Sequence, residues 1–212
     1  MAKPRGKLVQ VKGKTMHVRQ MGTGETTIVL LPGWGVPLPS VEYAPLMREL
    51  SKKYTVCTVE LFGYGHSDGT DTPRTNENYV QEIREALTLA GLKPPYTLMP
   101  YSCSGIYAEY YAANYPEEIA GLILLDCTPT VEAYAQQLVL TKEDMDKLNS
   151  TDEVAILSEE DYEEAVAEYT QHGYTEEEVL EILESMESLS CMDTQLAQFA
   201  ALSQNVREVI PM

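Results

Sequence analysis

Long apolar runs are missing from this sequence. The longest, such as Ile28 to Leu31 and Leu122 to Leu125, fall far short of the ~20 residues that a bilayer-spanning helix needs. No membrane partner is therefore expected. The N-terminus, MAKPRGKLVQVKGKT, is basic but has no apolar stretch behind it, so no ordinary secretory signal is expected. Cysteine is sparse too: Cys57, Cys103, Cys127 and Cys191 are scattered without metal-ligand spacing. Two of them fall in or beside apolar runs, which suits a reducing, cytoplasmic location. Positive charge is scarce. Fifteen Lys and Arg against 33 Asp and Glu give a net charge of −18, which argues against a nucleic-acid partner because phosphates would be repelled. The Gly63-x-Gly65 turn lacks a third glycine and supports no dinucleotide fingerprint. No cofactor and no metal are expected.

What is present is an alternation of strand and helix signals. Lys7 to Val11 and Thr15 to Arg19 flank the turn Lys12-Gly13-Lys14 and read as a hairpin. Thr26 to Leu31 predicts a strand ending in Pro32-Gly33-Trp34-Gly35, and Val41 to Lys52 has helical spacing. Tyr54 to Leu61 predicts a strand, and Thr75 an N-cap for a helix to about Ala90. Tyr96 to Met99, a helix over Gly105 to Tyr115, and a buried strand over Leu122 to Leu125 follow. This order predicts an α/β fold with a mostly parallel sheet, whose chemistry collects at the carboxyl ends of the strands. From about Val131 to Gln204 the pattern is helical, acidic and free of convincing strands. The expected organisation is a core over 1–130, a helical lid over 131–205, and a short lead-in over 206–212 to further core. The plain reading of the lid's charge is a solvated helix surface.

The segment richest in chemistry is Leu98-Met99-Pro100-Tyr101-Ser102-Cys103-Ser104-Gly105. A short apolar strand enters a helix through a turn crowded with small residues. It resembles the nucleophile elbow of the α/β-hydrolase family, where residues two before and two after the nucleophile must be small. Ser102 meets that need, with Pro100 before and Ser104 after. Cys103 as nucleophile would place Tyr101 two before, and Ser104 would place Ile106 two after. Pro100 stands where the family usually has Gly, and Tyr101 where it often has His.

Three further segments carry the resemblance in family order. Leu31-Pro32-Gly33-Trp34-Gly35 is similar to the His-Gly-x loop, which implies that the Trp34 and Cys103 N–H groups bind the oxyanion. Such donors are each worth roughly 10²–10³-fold in rate. Gly63-Tyr64-Gly65-His66-Ser67 matches a G-x-G-x-S segment, and Tyr115-Pro116-Glu117 leads into the Leu122 strand. The resemblance spans about Thr26 to Asp126. It points to the serine esterase or proline-iminopeptidase-like branch of the family. Membership of that branch would imply that lid carboxylates receive a cationic amine.

A serine hydrolase also needs a general base, normally a histidine oriented by a carboxylate. In this family that histidine follows the eighth strand; about six strands are expected here, and no histidine follows His172. His17 lies on the first hairpin and His66 in the turn after the Tyr54 strand. His172, in the lid, is the remaining base candidate, although an exposed or structural role is the favoured reading for all three. Asp126, at the end of its strand, is a candidate triad acid. The chain is therefore expected to lack strands seven and eight, leaving Gly121 to Asp126 as an exposed apolar edge open to self-association or a completing chain. The expected activity is cleavage of a small-molecule ester or amide through an acyl-enzyme on Ser102, with the given chain inactive or incomplete. A Ser nucleophile disfavours dehalogenase and epoxide hydrolase chemistry. The competing reading is a non-catalytic binding or interaction protein on a hydrolase scaffold.

Overall fold

Lys12 and Gly13 both take positive φ, 48° and 79°, the geometry of a two-residue turn whose twist matches that of paired strands. They join β1 (Lys7–Val11) to β2 (Lys14–Met21). The computed structural model describes residues 3–141, 143–144, 147, 158–186 and 192–212. Beyond the hairpin come β3 (Thr27–Leu31), β4 (Thr55–Glu60), β5 (Tyr96–Pro100) and β6 (Ile119–Leu122). The sheet order is β1-β2-β4-β3-β5-β6. The β1/β2 and β2/β4 pairs are antiparallel and the rest parallel. Every residue of β3 and β4 is buried, as expected of strands covered on both faces. The α/β architecture with its N-terminal hairpin is thus the one expected.

Two expected elements come out differently. The helix expected over Val41 to Lys52 is two, α1 (Pro39–Glu42) and α2 (Ala44–Leu50). Pro45 explains the break, since it has no N–H to donate and its ring crowds the preceding turn. The strand expected over Leu122 to Leu125 instead spans Ile119–Leu122. Beyond it, Ile123 and Leu125 N–H still donate to Leu98 and Pro100 carbonyls, at 2.9 and 3.0 Å. This strand is the sheet edge, with one neighbour, so Ile123 and Leu124 are exposed rather than buried.

Helix α3 (Asn76–Ala90) starts where Thr75 accepts the Asn78 N–H and stops at Gly91, φ 86°. Its buried Glu82 accepts two hydrogen bonds from Arg74, 3.1 and 2.9 Å, and the guanidinium lies 3.9 Å from the Tyr79 ring centre. The next helix, α4 (Ser104–Asn114), follows β5 directly. After β6 come α5 (Glu132–Gln137), α6 (Glu159–Gln171), α7 (Glu176–Met186) and α8 (Met192–Val209). No strand occurs among the described residues after β6, and α8 runs through Val206, beyond the boundary expected at 205. No described helix is long and apolar enough to cross a membrane. Helix α6 has no buried residue, which fits a solvated surface. By contrast α8 sends Leu202, Val206 and Val209 into the main core beside α3 and α4. Parts of the expected lid, and Cys191, lie outside the described residues.

Candidate active site

Ser102 has φ 52°, a left-handed conformation that residues with a Cβ avoid. Its neighbours hold it there. The Ser102 N–H donates to Leu125 O at 3.2 Å, and the Thr128 N–H donates to Ser102 O at 3.0 Å. Chain leaving β6 thus clamps the turn between β5 and α4. Pro100 fits at the strand end because only its carbonyl is used, accepting from Leu125. The turn leaves no space for side chains beside it. A Cβ on Gly33 would lie 2.8 Å from Tyr101 Cδ1 and 3.0 Å from Ser102 Cβ. A Cβ on Gly105 would lie 2.6 Å from Cys127 Cβ. The Ser104 hydroxyl donates to Pro32 O, tying the elbow to the loop after β3.

The two N–H groups named as oxyanion donors meet at the elbow. Neither donates to a backbone carbonyl among the described residues. Burial pushes the Cys103 thiol up to about 11, and the Trp34 N–H, the Cys103 N–H and the Gln198 amide all act on its sulfur in the opposing sense. A thiol is a weak acceptor, so an oxyanion would compete well for the same donors. Helix α8 holds this loop from above. Trp34 Nε1 donates to Gln195 O at 2.9 Å, and its ring lies 4.8 Å from Phe199. Gln198, fully buried, accepts from Tyr64 OH at 2.5 Å and donates to Tyr107 OH at 3.2 Å.

The remaining candidates are dispersed. Ser102 Oγ has no hydrogen-bond partner among the described residues. His17 is fully buried, its Nδ1 3.1 Å from Glu60 Oε2. Burial alone would raise the Glu60 carboxyl, but His17 and the Ser40 and His66 N–H groups draw it below the usual range. His66 packs edge-on against His17 at 5.2 Å, and burial lowers it. Both histidines thus belong to a structural carboxylate cluster that anchors α1. Asp126, φ 44°, is exposed and makes no hydrogen bond through its side chain among the described residues. His172 is exposed, but it lines an open pocket of about 400 Å³ together with Tyr101, the residue preceding Ser102. No group of three His, Cys, Asp or Glu among the described residues is arranged to hold a metal.

Two residues of this region were not legible beforehand. Glu42, at the end of α1, lines the same pocket; burial raises its carboxyl to about 7. Gln198 sits in a segment that reads as a solvated acidic helix. A hint was available in the spacing Gln198, Leu202, Asn205, Val206, one helical stripe that is buried throughout. Glu178, in the segment expected to form the lid, is already charge-paired. Burial would raise it, but Arg48 at 2.6 and 3.0 Å and the Thr175 N–H bring it down.

Comparisons with known proteins bear on the family and the fold. The family model described as alpha/beta hydrolase fold matches residues 26–152. The uncharacterised protein YbdG of Bacillus subtilis (strain 168) is 40% identical over 126 residues, covering 59% of this chain and 39% of its own. The pimeloyl-[acyl-carrier protein] methyl ester esterase of Xylella fastidiosa (strain M12) is 32% identical over 114 residues, covering 54% and 41%. The match thus spans about two fifths of the length of these curated relatives. Among solved structures, the epoxide hydrolase VrEH1 of Vigna radiata superposes with a TM-score of 0.66 at 17% identity, over 97% of this chain and 74% of its own. At that identity the likeness concerns the fold.

Proposed function

This chain belongs to the α/β-hydrolase fold family, and from that premise we propose a serine hydrolase that cleaves a small ester or amide through an acyl-enzyme on Ser102. The observation that carries the reading is the left-handed backbone of Ser102 at the β5–α4 turn, walled by Gly33 and Gly105. Strain of this kind costs about 1–3 kcal/mol and persists where function requires it. Ser102 Oγ adds to the substrate carbonyl carbon, its proton passes to a base, and the oxyanion takes the Trp34 and Cys103 N–H groups. Collapse expels the alcohol or amine, which leaves protonated. Water then attacks the acyl-enzyme and releases the acid, restoring Ser102. Ester chemistry is supported by the curated esterase relative, and a serine at the elbow disfavours attack on an epoxide.

The base is the open element. His172 is the base candidate that shares a pocket with Tyr101; Asp126 is the candidate acid. The partnerless Ser102 hydroxyl equally supports a second reading, a binding protein on the same scaffold. A fluorophosphonate probe separates the two. Labelling of the wild type but not of Ser102→Ala would mean that Ser102 is activated; a folded chain that takes no label would be an inactive fragment or a binding scaffold.

A further inference from the structure

Building on the serine-hydrolase reading, we propose that the pocket beside Tyr101 binds a quaternary ammonium group, so that the preferred substrate is an ester or amide carrying a fixed positive charge. The pocket is lined by Glu42, Tyr43, Tyr101, His172 and Tyr174, with aliphatic residues completing it. Its place is set by the elbow, because Tyr101 is the residue before Ser102 and is 39% exposed.

The charge argument starts from Glu42. Its carboxylate accepts one hydrogen bond, from the Leu38 N–H at 3.0 Å. Among the described residues no lysine or arginine lines the pocket, and the nearby Arg48 is committed to Glu178. A partly buried carboxylate with one donor and no cation is costly. Burial accordingly holds it up at about 7. A neutral acyl chain in the pocket would desolvate it further; a cation would compensate it. The net charge of −18 also draws cations toward the protein.

The walls decide which cation. Tyrosine rings attract cations through their quadrupole, and rings gathered around a site suit a weakly hydrated ammonium. A primary ammonium has three N–H groups, each requiring an acceptor. The acceptors on hand are the remaining Glu42 carboxylate positions and the phenol oxygens, set among ring faces. Tyr174 OH donates to Glu42 O at 2.6 Å, and Tyr43 OH points to Leu31 O at 3.5 Å. A quaternary nitrogen has no N–H and needs none. This distinguishes the site from the amine-binding lid carboxylates that the sequence resemblance implies.

The test is equilibrium binding, read by chemical-shift titration on the 212-residue chain, with three probes of similar size. Choline is the quaternary cation, 3,3-dimethyl-1-butanol its neutral isostere, and ethanolamine the primary amine. Choline is expected to bind at least tenfold more tightly than either. Glu42→Gln, shown to be folded by its thermal transition, is expected to lose most of the preference over the isostere. Tyr174→Leu is expected to weaken choline several-fold while Tyr174→Phe, which keeps the ring, is not. Equal affinities, tighter ethanolamine, no binding, or an unchanged preference in Glu42→Gln would each overturn the proposal. Because no turnover is needed, Ser102→Ala should bind choline as the wild type does. An unlabelled Ser102 with intact choline binding would count against activity of this chain and leave the binding site standing.

Discussion

Replacing Glu42 with Gln removes a charge while keeping the oxygen that accepts the Leu38 N–H. The folded carboxyl titrates at about 7 against an ordinary value of 4.5, because burial disfavours its charged form. The folded protein therefore binds the proton more tightly than the unfolded chain. Below pH 4.5 both states are protonated and Glu42 costs nothing. As pH rises from 4.5 to 7 the unfolded chain ionises first, stability is lost, and above 7 the full penalty is present. A shift of that size corresponds to about 3 kcal/mol at most, and to about 2 kcal/mol after allowance for partial exposure. The Gln variant should then match the wild type at pH 4.5 and exceed it at pH 8. For a chain of this size the gain is about 4–8 °C in Tm, measurable by circular dichroism melts at both pH values. The other groups facing this carboxylate are Glu60, His172 and the phenols of Tyr43, Tyr101 and Tyr174. Glu60 is held below the ordinary range, and burial and the Glu42 charge raise the Tyr43 and Tyr174 phenols, so these three keep one charge state between pH 4.5 and 8 and the difference is dominated by Glu42 itself. A Tm difference equal at both pH values, or a Gln variant less stable at pH 8, would refute the reasoning.

Two further predictions concern the elbow. Gly105→Ala should cost about 2–4 kcal/mol by forcing its new methyl into Cys127 Cβ. Adding Cys127→Gly should restore part of the loss, whereas Cys127→Ala, which keeps Cβ, should not; urea unfolding of the four proteins measures the coupling. Ser102→Gly should be more stable than Ser102→Ala by about 1 kcal/mol, since glycine adopts φ 52° without strain. Equal midpoints for the Gly and Ala variants would mean that the turn holds no such strain.

The elbow was legible because its demands are local. A strand entering a helix within a few residues needs compact neighbours, and Pro100, Ser104 and Gly105 supply them in sequence. The α3 helix was legible for the same reason: Thr75 and Gly91 are start and stop signals that act on adjacent backbone. The extent of β6 was not, because burial of Leu122 to Leu125 depends on which strands flank it, and among the described residues only β5 does. Composition alone misjudged α8, whose polar residues Gln195 and Gln198 bond the loops after β3 and β4 and the elbow.

What the amino-acid order determined by itself is the alternation of strands and helices, the position of the sharp turn, and Ser102 within it. Periodicity, turn chemistry and steric room are short-range properties and survive in one dimension. The tertiary structure alone decided that Glu42 shares a pocket with Tyr101, Tyr174 and His172, and that His17 pairs with Glu60 instead of approaching the elbow. Those pairings join residues up to 132 positions apart through sheet order and helix docking. The pH at which a carboxylate such as Glu42 ionises follows from which neighbours exclude water from it, and that is a property of the packed chain.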